Sequence, residues 1–335
     1  MPTRLIRVVA ALAIALAAFS TPSRAEVSEL AVAQQYGIGY LSLMVMEDQK
    51  LIEKYAREAG LDVKVTWARF AGGNVMNDAL LSGTLHIASG GVAPLVTLWS
   101  RTRGNLDVRG IAALNSMPLH LVSRNPAVKT VRDFTDKDRI GLPAVKVSVQ
   151  AAILQMAAEQ AFGAGQQNRL DAFTVSLSHP DAMQALMSGQ SEVNAHFGSP
   201  PFQYQELAKP ENHVVVNSYE VLGGPSTFNL VWTTARFRSE NPKLYDAFVK
   251  ALDDATAQIT RDKRAAAQTY LRLSKDKDSV DNIAKMLNDP AIVFTTTPQT
   301  IQRFAEFMAK TGAVKTKPDS WKDMFFPNVH GLSGS

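Results

Sequence analysis

The chain has 335 residues, 46% of them hydrophobic and 20% charged, which suits a soluble globular protein long enough for two domains. Its formal charge of +4 includes Arg4, Arg7 and Arg24 and no acid within the first 25 residues, so the remainder carries +1 and gives no argument for a nucleic-acid partner. The absence of cysteine excludes disulfides, thiolate metal sites, cysteine nucleophiles and a lipidated cysteine anchor.

In chain order, residues 1–25 read as a signal peptide. Arg4 and Arg7 form the basic region, Val8 to Phe19 the apolar run, and Ser23-Arg24-Ala25 the small-residue cleavage site. An uncleaved anchor is the alternative, but the run is shorter than the ~20 residues a bilayer requires. Cleavage after Ala25 and export to a bacterial periplasm are therefore expected. Glu29 to Ala33 reads as a strand, Gln34 to Tyr40 as a loop, and a single helix is expected from there to about Ala59, stopped by Gly60. Val63, Val65 and Trp67 alternate as a second strand, and Phe70 to Gly73 is a loop.

Next comes a unit that the chain contains twice. Asp78 to Pro94 aligns without a gap on Gln184 to Pro200, placing Ala79 on Ala185, Leu80 on Leu186, Ser82-Gly83 on Ser188-Gly189 and Pro94 on Pro200. Each copy reads as a helix end, a glycine stop, a short strand and a small-residue loop. Two such units predict two similar halves whose loops face one cleft.

Between and after the copies, strands are expected at Val108 to Leu114, Leu119 to Ser123, Arg139 to Leu142, Phe173 to Leu177, Val214 to Val216 and Phe228 to Thr233. Ser148 is the expected N-cap of a helix through Phe162, and His179-Pro180 opens the helix of the second copy. The rest reads as helical, with starts at Asn241-Pro242 and Thr297-Pro298, and the aromatic tail Trp321, Phe325 and Phe326 is expected to dock. The order β-α-β-α-β in each half points to α/β architecture.

Catalytic signatures are poor. Gly37-Ile38-Gly39 lacks the third glycine of a dinucleotide fingerprint, no phosphate loop or nucleophile elbow occurs, and the six histidines form no metal-binding pair. Neither a cofactor nor a metal is expected. Strand-end loops give a better pattern. Gln35 to Tyr40, Ser89-Gly90-Gly91 and Val147-Ser148 each precede a helix, whose free N–H groups and positive dipole end suit a small polar or anionic group. Ser89 and Ser148 add hydroxyl donors. Tyr36, Tyr40, Phe70, Phe197 and Phe228 are candidate apolar walls, or equally core residues. His196 closes the strand of the second copy, where it lines the cleft or packs inside. Asn115 and Ser226, in turns beside the expected crossings, complete the candidate ligand-binding set. Arg69 is a candidate anion partner, though its alternation with Trp67 equally reads as a strand's solvent face.

These features together resemble the substrate-binding proteins of bacterial ABC importers of the nitrate/sulfonate/taurine type, which are also similar to thiamine-pyrimidine-precursor binding proteins. The resemblance is carried by the leader, Gln35-Tyr36-Gly37-Ile38-Gly39-Tyr40, Ala79-Leu80-Leu81-Ser82-Gly83 with Ser89-Gly90-Gly91, Asp181 to Leu186 with Gly189, and Trp321 to Pro327 with Gly334-Ser335. It implies a type II periplasmic-binding-protein fold, with two α/β lobes joined by two hinge strands. By this reading lobe one is residues 26–120 with 230–335, and lobe two is 121–229, with crossings near Leu119–Ser123 and Phe228–Thr233. It also implies a monomeric receptor, not an enzyme, that captures a sulfonate, carboxylate or heteroaromatic solute and delivers it to an inner-membrane permease. The alternatives are a periplasmic sensing module for a signalling partner and an enzyme on the same fold, the latter disfavoured by the missing cysteines.

Overall fold

The computed structural model describes residues 25–335, so the expected leader, Ala25 apart, lies outside the described residues. The strands are β1 (Glu29–Gln34), β2 (Lys64–Arg69), β3 (Ala88–Gly91), β4 (Arg109–Ala113), β5 (Asn115–Ser116), β6 (His120–Ser123), β7 (Ile140–Leu142), β8 (Thr174–Ser176), β9 (Ala195–Phe197), β10 (His213–Asn217), β11 (Asn229–Thr233) and β12 (Val293–Phe294). They form two main sheets. In the first, β1 and β2 pair in parallel, a parallel bridge from Val32 to Ile87 joins them to β3, and antiparallel β11 lies between β3 and β4. In the second the order is β10-β6-β9-β7-β8, with β7 parallel to β8 and β9 and with β6 antiparallel to β9 and β10.

The two orders are one plan used twice. Each sheet reads second strand, first strand, third strand, then an antiparallel strand that belongs to the crossing chain, then a fourth. The chain leaves the first sheet after Ala113 and enters the second at His120. It leaves the second after Asn217 and re-enters the first at Asn229. Between these points β5 pairs with β12, and Ser116 bridges Thr227. The two copies of the sequence repeat supply the third strand of each sheet, β3 and β9, each preceded by a helix ending in a glycine with left-handed φ, Gly83 at +79° and Gly189 at +68°.

The helices are α1 (Leu41–Asp48), α2 (Leu51–Glu58), α3 (Gly73–Leu81), α4 (Val92–Thr102), α5 (Val149–Phe162), α6 (His179–Ser188), α7 (Phe202–Leu207), α8 (Ser218–Leu222), α9 (Ala235–Glu240), α10 (Pro242–Arg261), α11 (Lys263–Ser274), α12 (Val280–Leu287) and α13 (Ile301–Lys310). The single helix expected to about Ala59 is two, because Lys50 takes a left-handed φ of 51° that breaks the hydrogen-bond ladder. The last helix starts at Ile301 rather than Thr297, since Thr300 also has φ +64°. Phe173 belongs to a 3-10 turn, which shortens the expected strand to Thr174–Ser176.

Burial explains the elements. All five residues of β11 are buried, as a strand flanked on both edges and covered on both faces must be. Helix α5 is apolar around most of its circumference and, Gln155 apart, buried through Ala158, which places it between layers rather than on a surface. The aromatic tail docks as expected. Trp99 Nε1 donates to the Asp323 carbonyl at 3.0 Å, and Phe326 N–H donates to the Gly110 carbonyl at 2.9 Å. Gly110 has no side chain because the Phe325 ring occupies the space where a Cβ would lie.

Candidate functional site

The segments that follow the strands of the two sheets meet across a narrow chamber. Its walls are Gln35, Tyr40, Gly73, Gly91, Pro94 and Phe228 from the first-sheet side, and Pro143, Ser148, Val149, Gln150 and His179 from the second. The chamber holds about 20 Å³, room for about one water. The walls touch at several places. A Cβ on Gly91 would lie 2.6 Å from both Cβ and Cγ1 of Val149, and one on Gly72 would lie 3.5 Å from the Pro143 carbonyl. Ile38 N–H donates to the Pro200 carbonyl at 3.1 Å. Glycine at 91 is what lets the two sides approach this closely.

The first-sheet loop is held by the segments that join the sheets. Asn115 Nδ2 donates to the Gly39 carbonyl at 2.5 Å, and Asn229 Nδ2 donates to the Tyr40 hydroxyl at 2.6 Å. Burial raises the Tyr40 phenol far above its ordinary pKa, so it stays protonated. On the other side Ser148 caps α5, its Oγ accepting from Ala151 N–H at 3.2 Å and donating to the Ala144 carbonyl at 2.8 Å. Ser89 Oγ donates to the Ala33 carbonyl at 2.6 Å. Both hydroxyl protons are thus committed to backbone, and neither serine is the free donor that the sequence suggested.

Of the candidate residues, Gln35, Tyr40, Gly91, Ser148 and the candidate wall Phe228 line the chamber. Gly90 lies one residue behind, against Gln35 Nε2 and the Trp232 ring. Tyr36 turns to an adjoining groove, where the Arg69 guanidinium sits 5.6 Å from its ring centre. Phe70 is half-buried against the core at the end of β2. Ser226, like Asn115, lies on a segment joining the sheets, where its carbonyl accepts from Ser116 Oγ at 2.8 Å. Phe197 is wholly in the core. His196 is also fully buried, because β9 runs between β6 and β7 and its side chain points into the helix layer, where Glu206 and His179 receive it. The histidine that lines the chamber is His179.

His179 was legible in a way the sequence reading did not use. Continue the gapless alignment of the two copies five residues towards the N-terminus, and Gly73 falls on His179; both line the chamber. Gln150, Val149 and Pro143 follow from the position of α5 and carry no comparable signal.

A larger groove of about 1290 Å³ lies beside the chamber, lined among others by Tyr36, Arg69, Met183, Phe202, Tyr204 and Tyr270. Volume alone would choose it. It is built, however, mainly from helix side chains and the charged turn 275–278, whereas the chamber collects the strand-end loops of both sheets, the usual ligand position in open α/β folds. Phe202 is the shared wall: it lines the groove, and its ring stacks on His179 at 5.6 Å. Among the described residues no group of three His, Asp or Glu side chains is placed to hold a metal, and no helix is long and apolar enough to cross a membrane.

The NMT1-like family model matches residues 23–273, well over half of the chain. Among curated proteins none matches. Solved structures similar to this one include the alkanesulfonate-binding protein SsuA from Xanthomonas axonopodis pv. citri bound to MOPS, at 18% identity and TM-score 0.67 over 88% of this chain and 96% of that one. The periplasmic nitrate-binding protein NrtA from Synechocystis PCC 6803 shares 13% identity at TM-score 0.69, over 88% of this chain and 84% of that one. The Candida albicans CA3427 gene product, described as having the generic periplasmic binding protein fold, shares 13% at TM-score 0.68, over 90% and 96%. Two sheets of one plan, each flanked by helices and meeting at their strand-end loops, agree with these likenesses: the chain belongs to the NMT1-like family and has the periplasmic-binding-protein fold.

Proposed function

We propose that this protein is the periplasmic solute-binding component of an ABC importer. It captures a small organic solute between two lobes and presents it to a membrane permease, without making or breaking a bond. The carrying observation is the chamber itself, whose walls come from both sheets and meet at Gly91 and Val149. A solute touching both walls favours the closed arrangement over an open one, and the difference in contact drives closure. The likeness to alkanesulfonate- and nitrate-binding proteins supports the same reading.

In this reading the lobes are about residues 26–120 with 230–335 and 121–229, the chain crossing near Leu119–Ser123 and Phe228–Thr233, and beside these crossings Asn115 and Ser116 clasp the returning chain. The solute contacts are Gln35, Tyr40, Phe228, Gln150 and His179, with first-turn amides of α4 and α5 as further donors. The chamber must widen to admit a solute, and hinge motion supplies that volume. Thermal denaturation against a panel of sulfonates, carboxylates, nitrate and pyrimidines tests the proposal. At least one class raises the melting temperature, because only the folded form binds it. A panel without effect overturns the receptor reading.

A further inference from the structure

Four buried side chains form an unbroken line from the interior of the second sheet's helix layer to the chamber. Glu206 Oε1 meets His196 Nδ1 at 2.5 Å, His196 Nε2 meets His179 Nδ1 at 2.9 Å, and His179 Nε2 meets Gln150 Nε2 at 3.2 Å. Relative exposures are 0% for Glu206 and His196, 4% for His179 and 2% for Gln150. Glu206 Oε2 has no partner. Only the outer members, His179 and Gln150, line the chamber.

The chemistry of the ends sets the direction of every bond between them. With Glu206 ionised, His196 donates from Nδ1, accepts at Nε2 from His179 Nδ1–H, and leaves His179 Nε2 as a lone pair that takes the Gln150 amide proton. The line then holds one negative charge at its inner end. A proton from water added at His179 Nε2 reverses it. The Nδ1 proton of His179 passes to His196 Nε2, that of His196 passes to Glu206 Oε1, and the line becomes neutral; His179 Nε2–H then requires the Gln150 amide to turn its Oε1 to the ring, which frees the amide N–H as a donor to the chamber. One proton is gained and none is lost.

The chamber needs such a donor. It has no Arg, Lys, Asp or Glu in its walls, and Ser148, the candidate serine that lines it, donates to backbone. An anion enclosed there has no fixed counter-charge, which is costly. The groups facing His179 are Gln150 from α5, His196 from β9 and the Phe202 ring from α7. Across the chamber stands the Tyr40 phenol, held neutral by burial. Asp181, on the histidine's own helix, is tied to Ser178 at the surface. The carboxyl of Glu206, reached through His196, is thus the acid in line with His179.

We propose that the chamber takes its solute as a singly charged oxyanion together with one proton, which the Glu206–His196–His179 line accepts at its chamber end. The proposal rests on the receptor reading and names its solute class. Isothermal titration calorimetry of the full chain with methanesulfonate, ethanesulfonate and benzoate, in bis-Tris and in Tris at pH 7, counts the protons taken up. The two buffers differ in ionisation enthalpy and contain no competing oxyanion. The expected result is close to one proton per bound oxyanion, with affinity falling about tenfold per pH unit above pH 7 because the proton is a second ligand. Sulfonate and carboxylate arms report which acid the chamber prefers. Glu206→Gln, whose amide N–H donates to His196 Nδ1 as the protonated carboxyl does, is expected to abolish the uptake and flatten the pH profile while binding at pH 7 is kept or tightened. Should that variant fail to fold, the wild-type proton count decides by itself. Oxyanion binding without proton uptake and with a flat pH profile overturns the proposal. So does binding of a neutral pyrimidine when none of the three acids binds, and in that case the receptor reading survives. If no solute of either class binds, both fail.

Discussion

Closure of the chamber depends on one missing side chain. Gly91 has φ −72° and ψ 169°, an extended conformation that alanine adopts without strain. Gly91→Ala therefore leaves β3 intact, and by restricting the unfolded chain it adds about 0.4–1 kcal/mol to stability if nothing else changes. The new Cβ, however, lies 2.6 Å from Cβ and Cγ1 of Val149, where carbon atoms ordinarily keep ~3.5–4.0 Å. Neither partner is a flexible tip, so the walls must part by about 1 Å. Overpacking of this kind costs about 1–3 kcal/mol. The cost falls on the closed arrangement alone, which corresponds to roughly 5- to 150-fold weaker solute binding. The assay is thermal denaturation with and without the solute that best stabilises the wild type. The melting temperature without solute holds or rises, and the solute-induced increase shrinks. Val149→Gly in the same chain removes the opposing Cβ and restores part of the loss. Affinity within twofold of wild type in Gly91→Ala would refute the reasoning, because contact at this point would then not belong to the bound state.

Three further outcomes are expected. Burial, and after it the neighbouring His196, holds the His179 imidazole well below its ordinary pKa of 6.5. The unfolded chain then binds the extra proton first, so the stability His179 contributes is complete above pH 6.5 and is lost as pH falls below it, by up to about 1.4 kcal/mol per pH unit. Urea denaturation between pH 5 and 7.5 without solute shows this slope in wild type and a shallower one in His179→Gln; equal slopes would contradict it. Asn115→Ala leaves the Gly39 carbonyl and the Asn229 N–H without their buried partner and costs about 1–3 kcal/mol in the same assay. Gly110→Ala drives a Cβ into the Phe325 ring, lowers stability by about 1–3 kcal/mol and makes the docked segment 321–326 more accessible to protease. An unchanged digestion pattern would mean that this segment is held elsewhere.

The repeat was the most informative feature of the sequence. Its two copies occupy equivalent third strands, and their paired glycines, Gly83 and Gly189, end equivalent helices. Such units are legible because a helix stop, a strand and a tight loop each follow from local chemistry: left-handed φ at glycine, an apolar stretch, small residues before proline. The helices opened by Ser148 and by His179-Pro180 were readable for the same reason, through a capping hydroxyl and a proline in the first turn. Breaks at Lys50 and Thr300 were not readable, since nothing in a lysine or a threonine announces a positive φ that neighbouring packing imposes.

The site divided along the same line. Local sequence named the loops, and Gln35, Tyr40, Gly91 and Ser148 do line the chamber. It could not say where each side chain spends its hydrogen bonds, because partners such as Ala33 and Glu206 reach Ser89 and His196 only once strands and helices are stacked. Amino-acid order determined the family, the doubled α/β plan and the strand-end loops, all products of short-range periodicity. Tertiary structure decided that His179 rather than His196 faces the chamber, since that choice depends on which neighbour flanks β9. It also decided that Gly91 meets Val149, a contact between halves of the molecule that no local pattern encodes.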